Sequence, residues 1–283
     1  MRFNAAGGIA VQVLLAVAAL ALGGAGVIYG VSEWKMRRSY DAPLTPLQPH
    51  ASVDTAEGER MARILGCWDG CHGRTGEGGH WEIRGIARSV APTLTPVLQG
   101  YDDAHLVRLI RYGVKRDGTS AVGMPSYTFW PLGDDDLANV IAHLRRQAGH
   151  EPMPRERHVT WQGRLALLTG RWQVSAQQVD RSRPRFGDQP QRTPLDRGRY
   201  LASITCTECH GTDFDGNVLE GTPSLAVVGT YTLPQFRHLM RTAQAASGRT
   251  VAEDMQWVKS APFTDAEIDG LYQFLRSRHG FAP

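Results

Sequence analysis

The sequence predicts an all-α protein, with one membrane-length apolar helix followed by two small helical domains in tandem. Three observations lead there. No charged residue stands between Phe3 and Ser32. The chain downstream repeats one order of features: a helix, a cysteine pair with a histidine, a glycine-rich loop, a helix, a lone methionine and a last helix. No βαβ alternation interrupts that order.

A chain of 283 residues has room for a membrane segment and two small domains. Hydrophobic residues make up 42% and the net charge is +3, an ordinary globular balance. A charge that small gives no argument for a polyanion, and no nucleic-acid partner is expected. Glycine (31) and proline (16) are plentiful, so long loops should separate the helices.

Residues 1–38 form the first segment. Ile9 to Val31 is continuously apolar or small. At about 1.5 Å per residue, such a helix crosses a hydrocarbon core of roughly 30 Å. A cleaved signal peptide is the competing reading, with Ala19-Leu20-Ala21 as a small-x-small site. The apolar run continues past that site, beyond the roughly 7–15 residues of a signal h-region. Flanking charges leave orientation open, because Arg2 precedes the run while Lys35, Arg37 and Arg38 come after it. Residues 39–51 are a proline-rich tether that should lift the first domain off the membrane.

The first repeat spans 52–148 and the second 192–283. Residues 67 to 73 read CWDGCHG, and 206 to 211 read CTECHG. The chain's only four cysteines, Cys67, Cys71, Cys206 and Cys209, are here, and His72 or His210 stands directly after each pair. A thioredoxin-type redox pair usually sits in a βαβ setting, which is absent. Zinc needs four ligands, and each cluster supplies three at most. Structural disulfides suit an exported protein but do not explain the histidine. Covalent haem attachment explains both thiols and the adjacent imidazole. The first pair holds one residue more than the second, and Gly70 can absorb it.

The surroundings repeat as well. TAEGERMARILGC precedes the first motif and LDRGRYLASITC the second. APTL or TPSL comes after each loop, then DDAHLVRLIRYGV or LPQFRHLMRTA with helical apolar spacing. Met124 or Met255 is next, and GDDDLANVIAHLRRQ or FTDAEIDGLYQFLRSR closes the repeat. Asp134 and Thr264 or Asp265 are the expected caps of these last helices. Pro92 to Pro223 and Met124 to Met255 share one offset.

This layout resembles the class I cytochrome c family, present twice in tandem over about 52–148 and 192–280. The resemblance implies an N-terminal and a C-terminal helix packed on each other beside each haem. It implies two covalently bound haem c groups, with Cys67, Cys71, Cys206 and Cys209 as thioether anchors. It implies His72 with Met124, and His210 with Met255, as axial ligands of the iron, and Pro92 and Pro223 as carbonyl partners of the histidine rings. The three-residue spacing of the first motif departs from the family pattern.

Bland readings compete at several positions. Met124 or Met255 as core filler is the default for any methionine. Met240 lies on a helix face, and Met61 and Met153 suit core and linker. His80, alone in the first loop, is a weak alternative ligand, whereas His105, His143, His238 and His279 fall on predicted helices. Trp68, Trp81, Trp130 and Trp257 are expected to pack around haem. With all four cysteines consumed and both axial positions filled by His and Met, no open iron position is left for substrate.

Between the repeats, 149–191 is an arginine-rich linker; Gly149 to Thr193 carries eight arginines against four acidic residues. WQGRLALLTGRW within it suits a short helix packed between the domains. The arginines suit either a solvated linker or contact with propionates, anionic lipid or an acidic partner. The expectation is a non-enzymatic electron carrier in the inner membrane, single-pass, with its haem domains in the periplasm, where haem attachment takes place. It would pass electrons between redox partner proteins, such as a membrane donor and an oxidase. The alternatives are a cytochrome subunit of a larger dehydrogenase or oxidase complex, or a diheme peroxidase-like enzyme with one open haem.

Overall fold

The computed structural model describes residues 5–67, 71–147, 149–154, 156–218 and 221–282. It is mostly helical, with one apolar helix at the N-terminus. That helix, α1 (Ala5–Arg37), is long and apolar enough to cross a membrane, and its apolar run is exposed.

The first repeat begins with α2 (Thr55–Ile64), started by Asp54, whose carboxylate accepts from the Ala56 and Glu57 amides. A hairpin is next, β1 (Gly79–Ile83) antiparallel to β2 (Ala87–Ala91). Then come α3 (Leu94–Gly100), α4 (Asp103–Tyr112), α5 (Ser126–Phe129) and α6 (Asp134–Leu144). Asp102 caps α4, and Gly113 ends it in the left-handed conformation that glycine adopts without cost. Asp134 is not the cap of α6 but its first residue, after Gly133. Its carboxylate instead accepts from Arg111 and Arg185 at 2.7 and 2.9 Å.

The interval between the repeats is built into the fold. Strand β3 (Arg157–Val159) pairs with β2, and α7 (Trp161–Thr169) and α8 (Ser175–Gln178) come after it. The short helix in WQGRLALLTGRW forms, but it packs on the end of α1 rather than between the repeats. Lys35 Nζ donates to the Leu167 carbonyl at 2.6 Å, and Arg164 reaches Ser32 and Glu33 at 2.7 and 2.9 Å. Met36, Ala87, Val159, Leu167, Trp172 and Val174 close into a small separate core there. The sheet was not foreseen, because its strands read as glycine-rich loop and charged linker. The proline-rich segment is laid along the first repeat: Tyr40 N donates to Gly118 O, and Gln48 and His50 donate to Asp134 and Asp135.

The second repeat comprises α9 (Pro194–Thr205), α10 (Thr207–His210), α11 (Leu233–Thr242) and α12 (Asp265–Arg278). Three capping boxes start its main helices: Thr193 with Asp196, Thr232 with Gln235 and Thr264 with Glu267. Thr264, not Asp265, is the last cap.

In each repeat the first helix crosses the last, α2 on α6 and α9 on α12. Glycine makes both crossings close. A Cβ on Gly58 would lie 2.0 Å from Asn139 O, and one on Gly198 would lie 1.9 Å from Gly270 O. The matching glycines of TAEGER and LDRGRY are therefore contact points of backbone on backbone. One contiguous apolar core then joins the repeats, with Ile64, Leu132 and Leu137 from the first and Leu201, Ile204, Ile268 and Leu271 from the second.

Candidate functional site

Each cysteine motif comes directly after the helix that carries the crossing glycine, so the motif starts where that helix ends. The loop after each histidine is folded by the same three hydrogen bonds. Gly78 N donates to His72 O and Gly216 N to His210 O, both at 2.9 Å. Leu94 N donates to Gly76 O and Leu225 N to Phe214 O, both at 2.8 Å. His72 Nδ1 lies 2.9 Å from Pro92 O, and His210 Nδ1 lies 2.8 Å from Pro223 O. The hairpin lengthens the first loop without breaking this frame.

The third contact decides the chemistry of each ring. A carbonyl only accepts, so Nδ1 must carry the proton and Nε2 the lone pair. Burial, only partly offset by the proline carbonyl, lowers the pKa of both His72 and His210 and keeps each ring neutral. A neutral, oriented imidazole with a bare Nε2 is what a metal-ligating histidine requires.

None of the four cysteines stands in a disulfide. Burial pushes Cys67 up to about 12, with Cys71 adding to it. Burial and the Glu208 carboxylate push Cys71 up to about 11, and burial pushes Cys206 up to about 11. A redox-active sulfur needs the opposite, a lowered pKa. Among the described residues no three of His, Cys, Asp and Glu converge as metal ligands would.

A cavity of about 2030 Å³ is lined by Cys67, Cys71, His72, Pro92 and Met124. Its apolar wall includes Leu98, Leu106, Leu109 and Phe129. It reaches the second motif, where Cys209 and Glu208 line it, and Tyr127 OH donates to the Glu208 carbonyl at 3.1 Å. The volume exceeds the roughly 300–1,000 Å³ of ordinary ligand pockets, so it accommodates a large planar group. Two flanking thiols, a bare imidazole nitrogen and a thioether on one apolar wall fit a covalently held haem. Cys206, His210, Pro223 and Met255 do not line this cavity. Met255 packs against the core from a short 3-10 turn, Glu253–Lys259.

Of the aromatic residues foreseen around haem, Trp81 and Trp257 line the cavity. Trp130 instead donates to Arg183 O at 2.9 Å and holds the interval between the repeats. Trp68 and Gly70 lie outside the described residues. His80 lines the cavity from β1. Met61 and Met240 are buried in the core.

Two site residues escaped sequence reasoning. The Trp81 ring presses on Gly123, where a Cβ would meet Cζ2 at 2.0 Å, so only glycine fits before Met124. Glu208, an unassigned position inside the second motif, carries its charge toward Cys71 and Cys67 of the first. The glycine beside the methionine was a usable signal; the approach of Glu208 is tertiary and left none.

No family model matches the chain, and no curated protein matches it. Among solved structures it is similar to that of reduced recombinant cytochrome c4 from Pseudomonas stutzeri, at 17% identity, with 81% of this chain and 100% of that one covered. The TM-score is 0.23, too low for the likeness to carry any argument, so the functional reading rests on the chain's own residues.

Proposed function

We propose that this chain is a diheme c-type cytochrome that relays electrons, held in the inner membrane by α1 with its haem-bearing repeats in the periplasm. One observation carries the reading: both motif histidines donate from Nδ1 to a proline carbonyl, at 2.9 and 2.8 Å, leaving Nε2 of each as the ligand atom. Haem bound at these positions supplies a one-electron change of iron oxidation state. Cys67 and Cys71, and Cys206 and Cys209, hold the group covalently. His72 and His210 ligate it, and their proline partners fix ring orientation and basicity. Met124 and Met255 would supply a thioether ligand to each group, and the apolar wall would limit the access of water at the first site.

The cavity of the first site extends to Glu208 and Cys209 of the second motif, a proximity that supports transfer within the molecule. Donor and acceptor are redox proteins at the membrane or in the periplasm, such as a dehydrogenase and an oxidase. Mass spectrometry of the denatured protein tests the reading, with two covalent haems per chain expected. A single haem would remove the variant N-terminal site, and none would overturn the proposal.

A further inference from the structure

Helix α7 has no part in either motif, yet one face of it is apolar and bare. Trp161 and Leu165 are 49% and 44% exposed. They lie four residues apart, on one helix face. The opposite face is committed: Leu167 is buried, and Gly163 abuts the hairpin so closely that a Cβ would lie 2.2 Å from Ile86 O.

The contacts of α7 set its level along α1. Arg164 stacks 4.0 Å over the Tyr29 ring and bonds Ser32 and Glu33. The apolar run of α1 ends at Val31, so Arg164 stands where that run meets charge. Three residues on, the Leu167 carbonyl accepts from Lys35, farther from the run. The N-terminal end of α7, with Trp161, is therefore turned toward the apolar segment. On α1 at the same level, Tyr29 and Trp34 are exposed. Cations surround them: Arg37 is exposed, and Arg38 stacks on Trp34 and Tyr40 at 4.7 and 4.5 Å.

Aromatic rings with arginine and lysine at the end of an apolar helix are the composition of a membrane–water interface. Exposed aromatic and apolar side chains beside basic groups seat in that zone, with the rings and chains at the acyl boundary and the basic groups on anionic headgroups. We infer that α7 is a second membrane contact, which seats Trp161 and Leu165 in the phospholipid headgroup–acyl boundary beside α1. The occupant of this face is the bilayer surface, since Arg164 and the Leu167 carbonyl hold α7 at the end of the exposed apolar run of α1. The inference rests on α1 spanning the membrane. Its consequence is orientation: with α7 seated, the first repeat is fixed relative to the bilayer through the sheet it shares with β3, rather than swinging on a tether.

The test uses the full-length, haem-loaded protein in vesicles of phosphatidylethanolamine and phosphatidylglycerol. The photoreactive residue p-benzoylphenylalanine replaces Leu165, Val227 or Val17 in turn. Val227 is an exposed apolar residue of the second repeat, and Val17 lies mid-span in α1. After illumination, phospholipid adducts are measured by mass. The Leu165 position is expected to give adducts several-fold above the Val227 position and comparable to Val17. Adducts at Val17 with Leu165 no higher than Val227 would overturn the inference and leave the anchor standing. No adduct at Val17 would overturn the anchor and the inference together. Haem content is read separately, so neither result bears on the electron-transfer reading.

Discussion

Arg60 of α2 donates to Glu267 of α12 at 2.8 Å, so the first helix of one repeat is ion-paired with the last helix of the other. Arg197 binds the same carboxylate at 2.6 Å, and Glu57 completes the group from the far side of Arg60. Burial opposes ionisation of Glu267, but Arg60, the Thr264 amide and Arg197 hold its pKa down at about 2 against an ordinary 4.5. A depressed carboxyl stabilises the fold fully above its unfolded pKa, and the contribution is lost as pH falls toward the folded value. Stability should therefore fall by on the order of 2–3 kcal/mol between about pH 5 and pH 2 through this group alone. Glu267→Gln should remove that part of the acid dependence. Urea midpoints of both proteins across this range check it, and equal slopes would sink the assignment.

Tyr200 is fully buried at the same junction, with its hydroxyl 2.6 Å from Asp136 and 3.3 Å from the Gly133 amide. Burial raises the Asp136 pKa, and the hydroxyl of Tyr200 opposes that rise. Tyr200→Phe leaves the carboxyl buried without this donor. A loss of about 1–3 kcal/mol is expected in denaturant unfolding, with haem content unchanged.

The helix crossings admit no side chain at Gly198 or Gly58. Gly198→Ala places a methyl against the Gly270 carbonyl and must push α9 from α12, at a cost of roughly 1–3 kcal/mol or more. Helix propensity alone would favour alanine by about 1 kcal/mol. The sign of the measured change therefore separates packing from propensity, and a stabilised variant would contradict the crossing.

On the diheme reading, Met124→His should leave the iron at the first site six-coordinate while lowering its potential, since imidazole does not favour ferrous iron as thioether does. The potential of the other site should stay in place. Spectroelectrochemical titration reads both, and the weak near-infrared sulfur-to-iron band of the oxidised protein should halve. Loss of no part of that band would remove Met124 as a ligand. A wild-type band from one haem only, with the other high-spin and open to added ligands, would favour the enzyme alternative.

Much of the architecture was legible in the residues. The uncharged run marked α1, and apolar spacing and caps marked the main helices around each motif and their order, because periodicity and capping are local properties of the chain. The pairing of His72 with Pro92 and His210 with Pro223 was implied by the family resemblance, and the geometry places those atoms in contact. The cap of α6 was misplaced by one residue, because Asp134 also serves Arg111 and Arg185, partners that no local pattern reveals.

What only the tertiary structure decided is how the parts meet. The linker arginines were ambiguous in sequence because a charge's role depends on what it faces. Folded, Arg164 and Arg185 bind Glu33 and Asp134, and the linker becomes strand, helix and a small core against α1. By itself the sequence determined the local segments and the residues each motif sets side by side, through spacing that a helix or loop reads over a few residues. It left open the Arg60–Glu267 junction, the approach of Glu208 to the first motif and the docking of α7, because each joins residues far apart in the chain that only the folded core brings within hydrogen-bond or Coulomb range.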